Sequence, residues 1–364
     1  MKIVDLFCGC GGFGLGAEMA GFKSVLAVDV DETLQSAYRV NFPNTKAIIG
    51  DLSKLNEADW RELLRDTKIN GVIGGPPCQA FSRIGKNEKC DPRRSLLHDF
   101  YRHINLIQPD FFIMENVEGL FDKRNRDELD SAINTLNPRY TVVSPFVINA
   151  ADVGAPTNRK RVIVVGYDSD LFSTMEPEDF LVKLPKVTVK DAISDLPGPV
   201  KEKKGCLGWA SYPEWSDLSI YAQKMRALPK LNLGSETGVK RLKNFEVSGL
   251  SETKHSEAVK ERYRSTPPGK MDRISKSKKL IWNGFCPTLR AGTGADKGSF
   301  QAVRPLHPEA PRVITVREAA RLQGFPDWYT FHSTKWHSFR MIGNSVSPIV
   351  SEHLLNVVKS KRLS

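Results

Sequence analysis

Short runs of β-branched and other apolar residues recur along the first 170 residues, separated by stretches in which apolar positions repeat with a helical period. The runs predict strands at residues 2–6, 25–28, 47–49, 72–73, 111–114, 141–143 and 161–165. Between residues 96 and 107 the apolar side chains share one helical face, and Pro109 marks the end of that helix. This alternation predicts an α/β fold with a mostly parallel, doubly wound sheet, whose ligand loops lie at the carboxyl ends of the strands.

The pattern changes near Lys186. From there to about residue 301 the chain is rich in Ser, Lys, Gly and Pro, and its periodicity is weak. Thr315 and Glu318 then form a capping-box sequence for a helix that ends at Gly324, and the last 20 residues again predict an amphipathic helix. We therefore predict a catalytic domain over residues 1–185, completed by residues 340–364, and a second, smaller domain over residues 186–339.

Basic residues concentrate in this second region. The segment 254–304 holds 12 Lys and Arg residues against 4 Asp and Glu residues, and the whole chain of 364 residues has a net charge of +11. Such an excess favours a nucleic-acid partner, while a solvated loop region would have the same composition.

The composition, 40% hydrophobic and 26% charged, is that of an ordinary globular protein. No apolar run reaches the roughly 20 residues of a membrane span, and the acid at position 5 argues against a signal peptide. Six cysteines without a C-x-x-C pair predict free thiols in a reducing cytoplasm and no zinc or other metal site.

A glycine-rich loop, Asp5-Leu-Phe-Cys-Gly-Cys-Gly-Gly-Phe-Gly-Leu-Gly16, follows the first predicted strand. It has neither the dinucleotide-binding spacing nor the Lys-Ser/Thr of a phosphate-binding loop, and a tight turn alone would also explain its glycines. The next two strands end near Asp29 and Asp51, so acids crowd the place that a phosphate would occupy. The pattern favours a nucleoside ligand without a pyrophosphate, such as S-adenosylmethionine, over NAD.

Three further strand ends carry reactive side chains. Cys78 follows two prolines that hold it rigidly, Glu115 ends an apolar strand, and Arg159 and Arg161 enter the last predicted strand of this region. The alternatives are a buried structural cysteine and a helix-capping acid. At a strand end that faces the ligand crevice, the same residues suit a nucleophile, a partly desolvated proton donor and two anion- or carbonyl-binding guanidiniums.

The motifs D-L-F-C-G-C-G-G, P-P-C-Q, E-N-V, R-K-R, R-V-I-T-V-R-E-A-A-R-L-Q-G-F-P and G-N-S-V-S-P follow one another in this order. Together they resemble the C5-cytosine DNA methyltransferase family, over residues 3–350 with a variable stretch at about 186–285. The resemblance implies an S-adenosylmethionine-binding, Rossmann-like catalytic domain, a target recognition domain, and double-stranded DNA with one cytosine flipped out of the helix.

The resemblance also implies roles for single residues. Cys78 adds to C6 of cytosine, Glu115 contacts N3 and the exocyclic amine, Arg161 contacts the base carbonyl, and Arg159 supports the loop or a phosphate. The loop 81–96 closes over the flipped base. The residues expected around the cofactor are Asp5, Phe7, Gly9, Gly11, Gly12, Asp29, Val30, Asp51, Leu52, Pro77 and Asn344. The candidates for DNA contacts are Gln79, Ser82, Arg83, Arg264, Lys270, Arg273, Thr288 and Arg290.

Three positions depart from the family pattern: Thr157 replaces a Gln, Val30 replaces a frequent Trp, and Ser347 replaces a Pro.

Two other functions fit the same fold. A transfer-RNA cytosine C5 methyltransferase would carry a Cys-Phe-Thr signature, which this sequence lacks, and a catalytically inactive DNA-binding regulator would not need Cys78, Glu115 and Arg161. The layout resembles bacterial or phage modification enzymes, so we expect a monomer in the bacterial cytoplasm or nucleoid, in a system with a cognate restriction endonuclease.

Overall fold

The computed structural model describes residues 1–65, 67–77, 95–214, 217–230, 232–290 and 304–363. The strands in these ranges are β1 (Lys2–Leu6), β2 (Lys23–Asp29), β3 (Lys46–Ile49), β4 (Gly71–Gly74), β5 (Phe111–Val117), β6 (Tyr140–Val142), β7 (Phe146–Asn149), β8 (Thr157–Asn158), β9 (Lys160–Asp168), β10 (Ala210–Ser211), β11 (Glu246–Val247) and β12 (Cys286–Pro287). The α-helices are α1 (Gly12–Met19), α2 (Glu32–Asn41), α3 (Glu57–Leu64), α4 (Ser95–Ile107), α5 (Lys123–Ile133), α6 (Pro177–Phe180), α7 (Val189–Ile193), α8 (Ile220–Arg226), α9 (Glu236–Lys243), α10 (Glu257–Ser265), α11 (Val316–Gln323), α12 (Lys335–Asn344) and α13 (Pro348–Ser360).

The central sheet has the strand order β3-β2-β1-β4-β5-β9-β6, and β7 also pairs with β9. The first five of these strands are mutually parallel, which confirms the predicted doubly wound sheet. Strand β9 runs antiparallel to β5, β6 and β7. The antiparallel direction and strand β7 were not predicted, because an apolar run does not reveal the direction in which it pairs. Short connections between β6, β7 and β9 favour antiparallel pairing.

Each sheet face has its own hydrophobic core, because successive side chains of a strand point to opposite faces. On β5, Phe111 and Ile113 belong to one buried cluster, while Phe112 and Met114 belong to the other. Side chains of α3, α4 and α5 complete the second cluster, and side chains of α1 and α13 complete the first. The helices therefore cover both faces and leave the strand ends open to a ligand.

The C-terminal helix α13 packs directly on α1. The Ser351 hydroxyl donates a hydrogen bond to the Phe13 carbonyl at 2.6 Å. A Cβ at Gly16 would lie 2.3 Å from Ser351 Cβ, so the two helices approach as closely as they do because residue 16 has no side chain. This packing supports the assignment of residues 340–364 to the catalytic domain, while the domain division itself stays a prediction.

The segment 186–339 contains short elements around a buried ion-pair cluster. The capping box of Thr315 and Glu318 begins α11, as predicted. From α11, the fully buried Arg321 donates to Asp195 at 3.1 Å and to Asp327 at 2.6 Å. Apolar side chains of α11 join the same core cluster as α1 and α13, so this region is anchored on the sheet domain. Within the described ranges, no helix has the length and apolar character needed to cross a membrane.

Candidate active site

A cavity of about 390 Å³ opens at the carboxyl ends of the parallel strands. Its lining comes from the loops after β1, β2 and β4, from the end of β5, and from residues around β9 and the end of α12. The predicted site residues in this lining are Asp5, Phe7, Gly9, Gly12, Asp29, Val30, Pro77, Glu115, Arg159, Arg161 and Asn344. The fold thus brings residues from distant motifs to one cavity.

The glycine loop is shaped by two close approaches. Gly11 has φ +90°, and a Cβ there would lie 2.7 Å from the rings of Tyr38 and Phe42. At Gly12 a Cβ would lie 1.9 Å from the Ser345 hydroxyl oxygen. The loop therefore packs between α2 and the segment after α12 only because these positions lack side chains.

Asp29, at the end of β2, binds the glycine loop. One carboxyl oxygen accepts a hydrogen bond from the Gly9 backbone N–H at 2.7 Å, and the other accepts from the Asp31 N–H at 2.8 Å. Burial raises the pKa of Asp29, while these backbone donors lower it. The carboxyl group is held in one orientation at the cavity wall.

Asp5, at the end of β1, is a buried acid whose carboxyl group is poorly satisfied by the described residues, with the Gly14 backbone N–H as a weak partner. It is 1% exposed, and neither carboxyl oxygen has a well-formed hydrogen bond to a described residue. Burial, followed by the nearby charge of Asp29, raises the pKa of Asp5 well above its usual range. A buried polar group in this condition is costly, so its position in the cavity lining suits a ligand or water that donates hydrogen bonds.

Glu115 and Arg161 form an ion pair in the cavity wall, with 2.6 Å between Glu115 Oε1 and Arg161 Nε. The two side chains come from adjacent antiparallel strands, β5 and β9, and are 11% and 15% exposed. A Cβ at Gly75 would lie 3.3 Å from the other Glu115 carboxyl oxygen, so the pair borders the segment after β4. The guanidinium stabilises the negative charge of this partly desolvated carboxylate.

Arg159 is 3% exposed and turns its guanidinium toward backbone carbonyls. It donates hydrogen bonds to Leu289 O at 3.2 Å, to Gly343 O at 3.1 Å and to Ser345 O at 2.9 Å. These carbonyls belong to the segment after β12 and to the segment around Asn344. The guanidinium thus joins these two segments, and its two predicted roles, support of the loop or of a phosphate, stay predictions.

The thiols of Cys8 and Cys10 also line the cavity. Burial raises the pKa of both, to about 12 for Cys10, so neither thiol ionises near neutral pH. Both are therefore poor nucleophiles. Within the described part of the chain, no group of three or more His, Cys, Asp or Glu side chains could hold a metal ion.

The family model of C-5 cytosine-specific DNA methylases matches residues 1–360. The chain belongs to this family. The methylase is 39% identical over 365 residues to the type II methyltransferase M.XorII of Xanthomonas oryzae pv. oryzae, covering 96% of this chain and 82% of that protein. It is 32% identical over 383 residues to the type II methyltransferase M.DdeI of Desulfomicrobium norvegicum, covering 97% of this chain and 87% of that protein.

Solved structures agree with this membership. A prophage-encoded E. coli protein, assigned as a DNA modification methyltransferase, matches the methylase with a TM-score of 0.88 and 40% identity, and 99% of each chain is covered. The Entamoeba histolytica methyltransferase EhMeth matches with a TM-score of 0.63 at 15% identity, over 99% of this chain and 98% of that one, which shows the fold alone. The methylase is a DNA cytosine-5 methyltransferase that uses S-adenosylmethionine as its methyl donor.

Four predicted site residues of the methylase, Cys78, Gln79, Ser82 and Arg83, lie outside the described residues, as does most of the predicted loop 81–96. The chain is described up to Pro77, which lines the cavity. The Asn116 side chain donates a hydrogen bond to Pro76 O at 3.3 Å and so holds this strand end against β5. Cys78 is the residue that directly follows Pro77 in the sequence.

Asp51 and Leu52 do not line the cavity of the methylase. Asp51 is bound to Ser53 and Lys54, and the Ser53 hydroxyl lowers the pKa of this carboxyl. Leu52 is 3% exposed in the core. Their turn is nevertheless adjacent to the site, because the Gly50 N–H donates to the carbonyl of Asp29 at 2.9 Å.

Arg340 and Asp31 line the same cavity and form an ion pair that the sequence analysis missed. Asp31 caps α2 by accepting from the Leu34 N–H at 3.0 Å. Arg340 stands four residues before Asn344 on α12, and that spacing places both on one helical face. The spacing of four residues between Arg340 and the predicted site residue Asn344 is the feature of the sequence that could have identified Arg340.

The candidate recognition residues lie away from the cavity. Arg264, Lys270, Arg273 and Arg290 are exposed, and Arg264 pairs with Glu261 at 2.7 Å. The Thr288 hydroxyl donates to Asn158 O at 2.9 Å, next to the arginine motif. The structure thus connects Thr288 to the catalytic strands and leaves Arg264, Lys270, Arg273 and Arg290 exposed at the surface.

Proposed function

We propose that this methylase methylates C5 of a flipped-out cytosine at a short specific sequence of double-stranded DNA, with Cys78 as the nucleophile. In this proposal Glu115 and Arg161 bind the base, Arg159 holds the surrounding loops, and the protein belongs to a type II modification system. M.XorII and M.DdeI, which carry that designation, support the last point.

The Glu115–Arg161 ion pair is the observation that carries the proposal. It presents a hydrogen-bonding carboxylate and a cationic donor, 2.6 Å apart, beside the segment Gly75–Pro77 that leads to Cys78. Cytosine offers a ring nitrogen and an amine that suit a carboxyl group, and a carbonyl that suits a guanidinium. A base placed against this pair would lie beside the segment that ends at Pro77, the residue before Cys78 in the sequence.

The chemistry follows from the poor nucleophilicity of cytosine C5. In its protonated form Glu115 donates its proton to N3 and accepts a hydrogen bond from the exocyclic amine, while the Cys78 thiolate adds to C6. The ring becomes an enamine whose C5 accepts a methyl group. A base then removes the C5 proton, the C6–S bond breaks, and N3 returns its proton. The products are 5-methylcytosine, S-adenosylhomocysteine, the regenerated thiolate and Glu115 with its proton restored.

The cavity fits S-adenosylmethionine, which supplies the methyl group when bound. The Asp5 carboxyl, poorly satisfied among the described residues, suits a hydrogen-bond donor of the ligand, and we propose that Asp29 accepts from ribose hydroxyls. A Cβ at Gly9 would meet no atom within 4 Å, so the loop leaves open space there. We propose that Phe7 and Val30 contact the adenine, that Asp51 and Leu52 flank it, and that Gly11, Gly12, Pro77 and Asn344 shape the pocket.

We further propose that residues 186–339 form the target recognition domain. In this proposal Gln79, Ser82, Arg83, Arg264, Lys270, Arg273, Thr288 and Arg290 contact DNA. Exposed guanidiniums can bind guanine with two hydrogen bonds in the major groove, at about 1–3 kcal/mol for each base pair.

We also propose that the methylase is a monomer of the bacterial cytoplasm or nucleoid, with a cognate restriction endonuclease.

Covalent trapping tests the reaction directly. The methylase is incubated with S-adenosylmethionine and a pool of random duplexes that contain 5-fluorocytosine, because fluorine at C5 blocks the elimination step. We expect a protein–DNA adduct that survives denaturation, and no adduct for Cys78→Ser. Sequencing of the trapped duplexes identifies the target.

Two other outcomes would contradict the proposal. An adduct with fluorinated transfer RNA but none with DNA would establish the RNA-modifying alternative. Tight DNA binding without an adduct on either substrate would establish an inactive DNA-binding regulator.

A further inference from the structure

His103 is a buried side chain that the proposed reaction does not use. It lies on α4, is fully buried, and stands between Trp60 of α3 and the backbone of Leu52. The Trp60 indole N–H donates to His103 Nδ1 at 2.9 Å. Because an indole nitrogen can only donate, Nδ1 is the acceptor and the ring proton is on Nε2. His103 Nε2 therefore donates to the Leu52 carbonyl, at 2.7 Å.

The neighbouring Arg102 binds the same turn. Its guanidinium donates to Leu52 O at 2.7 Å and to Leu55 O at 2.6 Å. Asp99, one turn earlier on α4, accepts from the guanidinium at 2.9 Å. The Leu52 carbonyl thus accepts hydrogen bonds from two consecutive residues of α4, and the turn 51–55 is fastened to that helix.

The position of this turn gives the contacts their functional meaning. Asp51 immediately precedes Leu52, and the adjacent Gly50 N–H donates to the carbonyl of Asp29 in the cavity wall. At its other end, α4 places Leu96 in the cavity lining. One helix therefore contacts the cavity directly and also holds the turn beside it.

We propose that His103 is a positioning residue for the cofactor: its neutral, Nε2-protonated ring fixes the Leu52 carbonyl and so holds the turn 51–55, which borders the cavity through the Gly50–Asp29 hydrogen bond, in position to flank the adenine. This inference rests on the proposed function in one respect, the assignment of Asp51 and Leu52 to the adenine subsite. Burial lowers the pKa of His103 to about 4, which agrees with a neutral ring at neutral pH.

The test measures the affinity of the full-length variants for S-adenosylhomocysteine by titration calorimetry without DNA. His103→Leu removes both hydrogen bonds of the ring, and we expect the Kd to rise about fivefold or more, the effect of losing one net hydrogen bond. His103→Gln retains one donor and one acceptor, and we expect the Kd to return to within about twofold of wild type. Trp60→Phe removes only the indole donor and leaves the tautomer unfixed, so its Kd should fall between the two.

Steady-state kinetics separate positioning from general damage. For His103→Leu we expect KM for S-adenosylmethionine to rise with the Kd while kcat at saturation stays within about twofold, as for lost uniform binding. Tyr101→Phe is the matched control, because it removes a buried hydroxyl of the same helix whose contact is Met114 Sδ, at 3.7 Å. It should leave both constants unchanged.

Three results would overturn the inference. One is a wild-type Kd in folded His103→Leu, and another is a His103→Gln variant as weak as His103→Leu. The third is an unchanged Kd in Asp51→Ala, since the turn would then lie outside the cofactor site. If His103→Leu does not fold, wild-type affinity in Trp60→Phe overturns the inference and a raised Kd supports it. The unsubstituted protein is also measured for S-adenosylhomocysteine binding and for covalent trapping by Cys78. If it passes both tests while the variants fail the predictions above, the proposed function stands and only this inference is overturned.

Discussion

Glu115 and Arg161 meet across two antiparallel strands, with 2.6 Å between the carboxylate and the guanidinium nitrogen. In the register of β5 and β9, Arg161 lies opposite Val117, two residues beyond Glu115, so the pair is a diagonal contact on one sheet face. The relationship depends on the antiparallel insertion of β9 beside β5. A parallel β9 would have carried Arg161 to the other end of the sheet.

Glu115→Gln should abolish most of the methyl transfer and keep cofactor binding. The amide cannot supply a proton to N3, and loss of a general acid costs about 10²- to 10⁴-fold in rate. Transfer of labelled methyl groups to DNA measures kcat, and calorimetry measures the Kd for S-adenosylhomocysteine, which we expect to be unchanged. Glu118→Gln is the control, since Glu118 is 40% exposed and lies 3.9 Å from Lys160. A Glu115→Gln variant with more than about one tenth of wild-type kcat would exclude this role.

Asp29→Asn should weaken S-adenosylhomocysteine binding about tenfold or more, the size of effect of a charge-assisted hydrogen bond. The Asn side chain keeps one acceptor oxygen, so its amide nitrogen can replace only one of the two oxygens that accept from the Gly9 and Asp31 backbones, and one of these hydrogen bonds is lost. Calorimetry measures the affinity. Glu32→Gln removes a charge from the exposed first turn of α2 and should leave the Kd unchanged. Equal affinities of Asp29→Asn and wild type would show that Asp29 does not bind the cofactor.

Arg159→Lys should destabilise the protein by about 3 kcal/mol, because hydrogen bonds to a charged group contribute about 1.5–3 kcal/mol each and one ammonium cannot reach all three carbonyls. Those carbonyls belong to Leu289, Gly343 and Ser345. Urea denaturation of the ligand-free protein measures the free energy of unfolding. Lys160→Ala, at an exposed neighbour, should change it by less than about 0.5 kcal/mol. A stable Arg159→Lys variant would show that these three contacts do not hold the segments together.

Acidification should unfold the wild-type protein partly through His103. Burial lowers the pKa of His103 to about 4, below its ordinary value of 6.5, although the charge of Asp99 opposes this and that of Arg102 adds to it. Between these values the unfolded chain binds a proton that the folded chain does not. The stabilisation is therefore complete above about pH 6.5 and is lost as the pH falls toward 4.

Urea denaturation at several pH values measures this effect as a difference between variants. The free energy of unfolding should fall less steeply between pH 6.5 and 4 for His103→Gln than for wild type, because glutamine does not titrate. Tyr101→Phe should keep the wild-type slope. Parallel curves for His103→Gln and wild type would show that His103 has the same pKa in the folded and unfolded chains, and would contradict the lowered pKa.

Truncation after residue 339 should abolish folding or cofactor binding. The missing residues include Ser351, which bonds to Phe13 of α1, and the fully buried Leu354, Leu355 and Val358. Burial of such side chains contributes about 1.5–3 kcal/mol each. Soluble yield and calorimetry with S-adenosylhomocysteine test the truncated chain against the full chain. A soluble truncation that binds the ligand would place residues 340–364 outside the catalytic fold.

The sequence by itself determined the strands of the parallel sheet, the helix that Pro109 follows and the capping box at Thr315, because each depends on neighbours within one element. It also placed Asp5, Asp29, Pro77 and Glu115 at strand ends, which in a parallel sheet meet at one edge. The motif order then indicated the family, although no single motif is specific enough to do so.

The tertiary structure decided which side chains meet. The direction of β9 pairs Arg161 with Glu115, and the return of α12 brings Arg340 to Asp31 and Gly343 to Arg159. These partners are 46 to 309 residues apart along the chain. Periodicity and turn residues record local backbone preference and burial, whereas such contacts depend on how whole elements pack. The sequence therefore shows only that residue 340 is a cation, and the packing of α12 against α2 is what places it in the cavity lining beside Asp31.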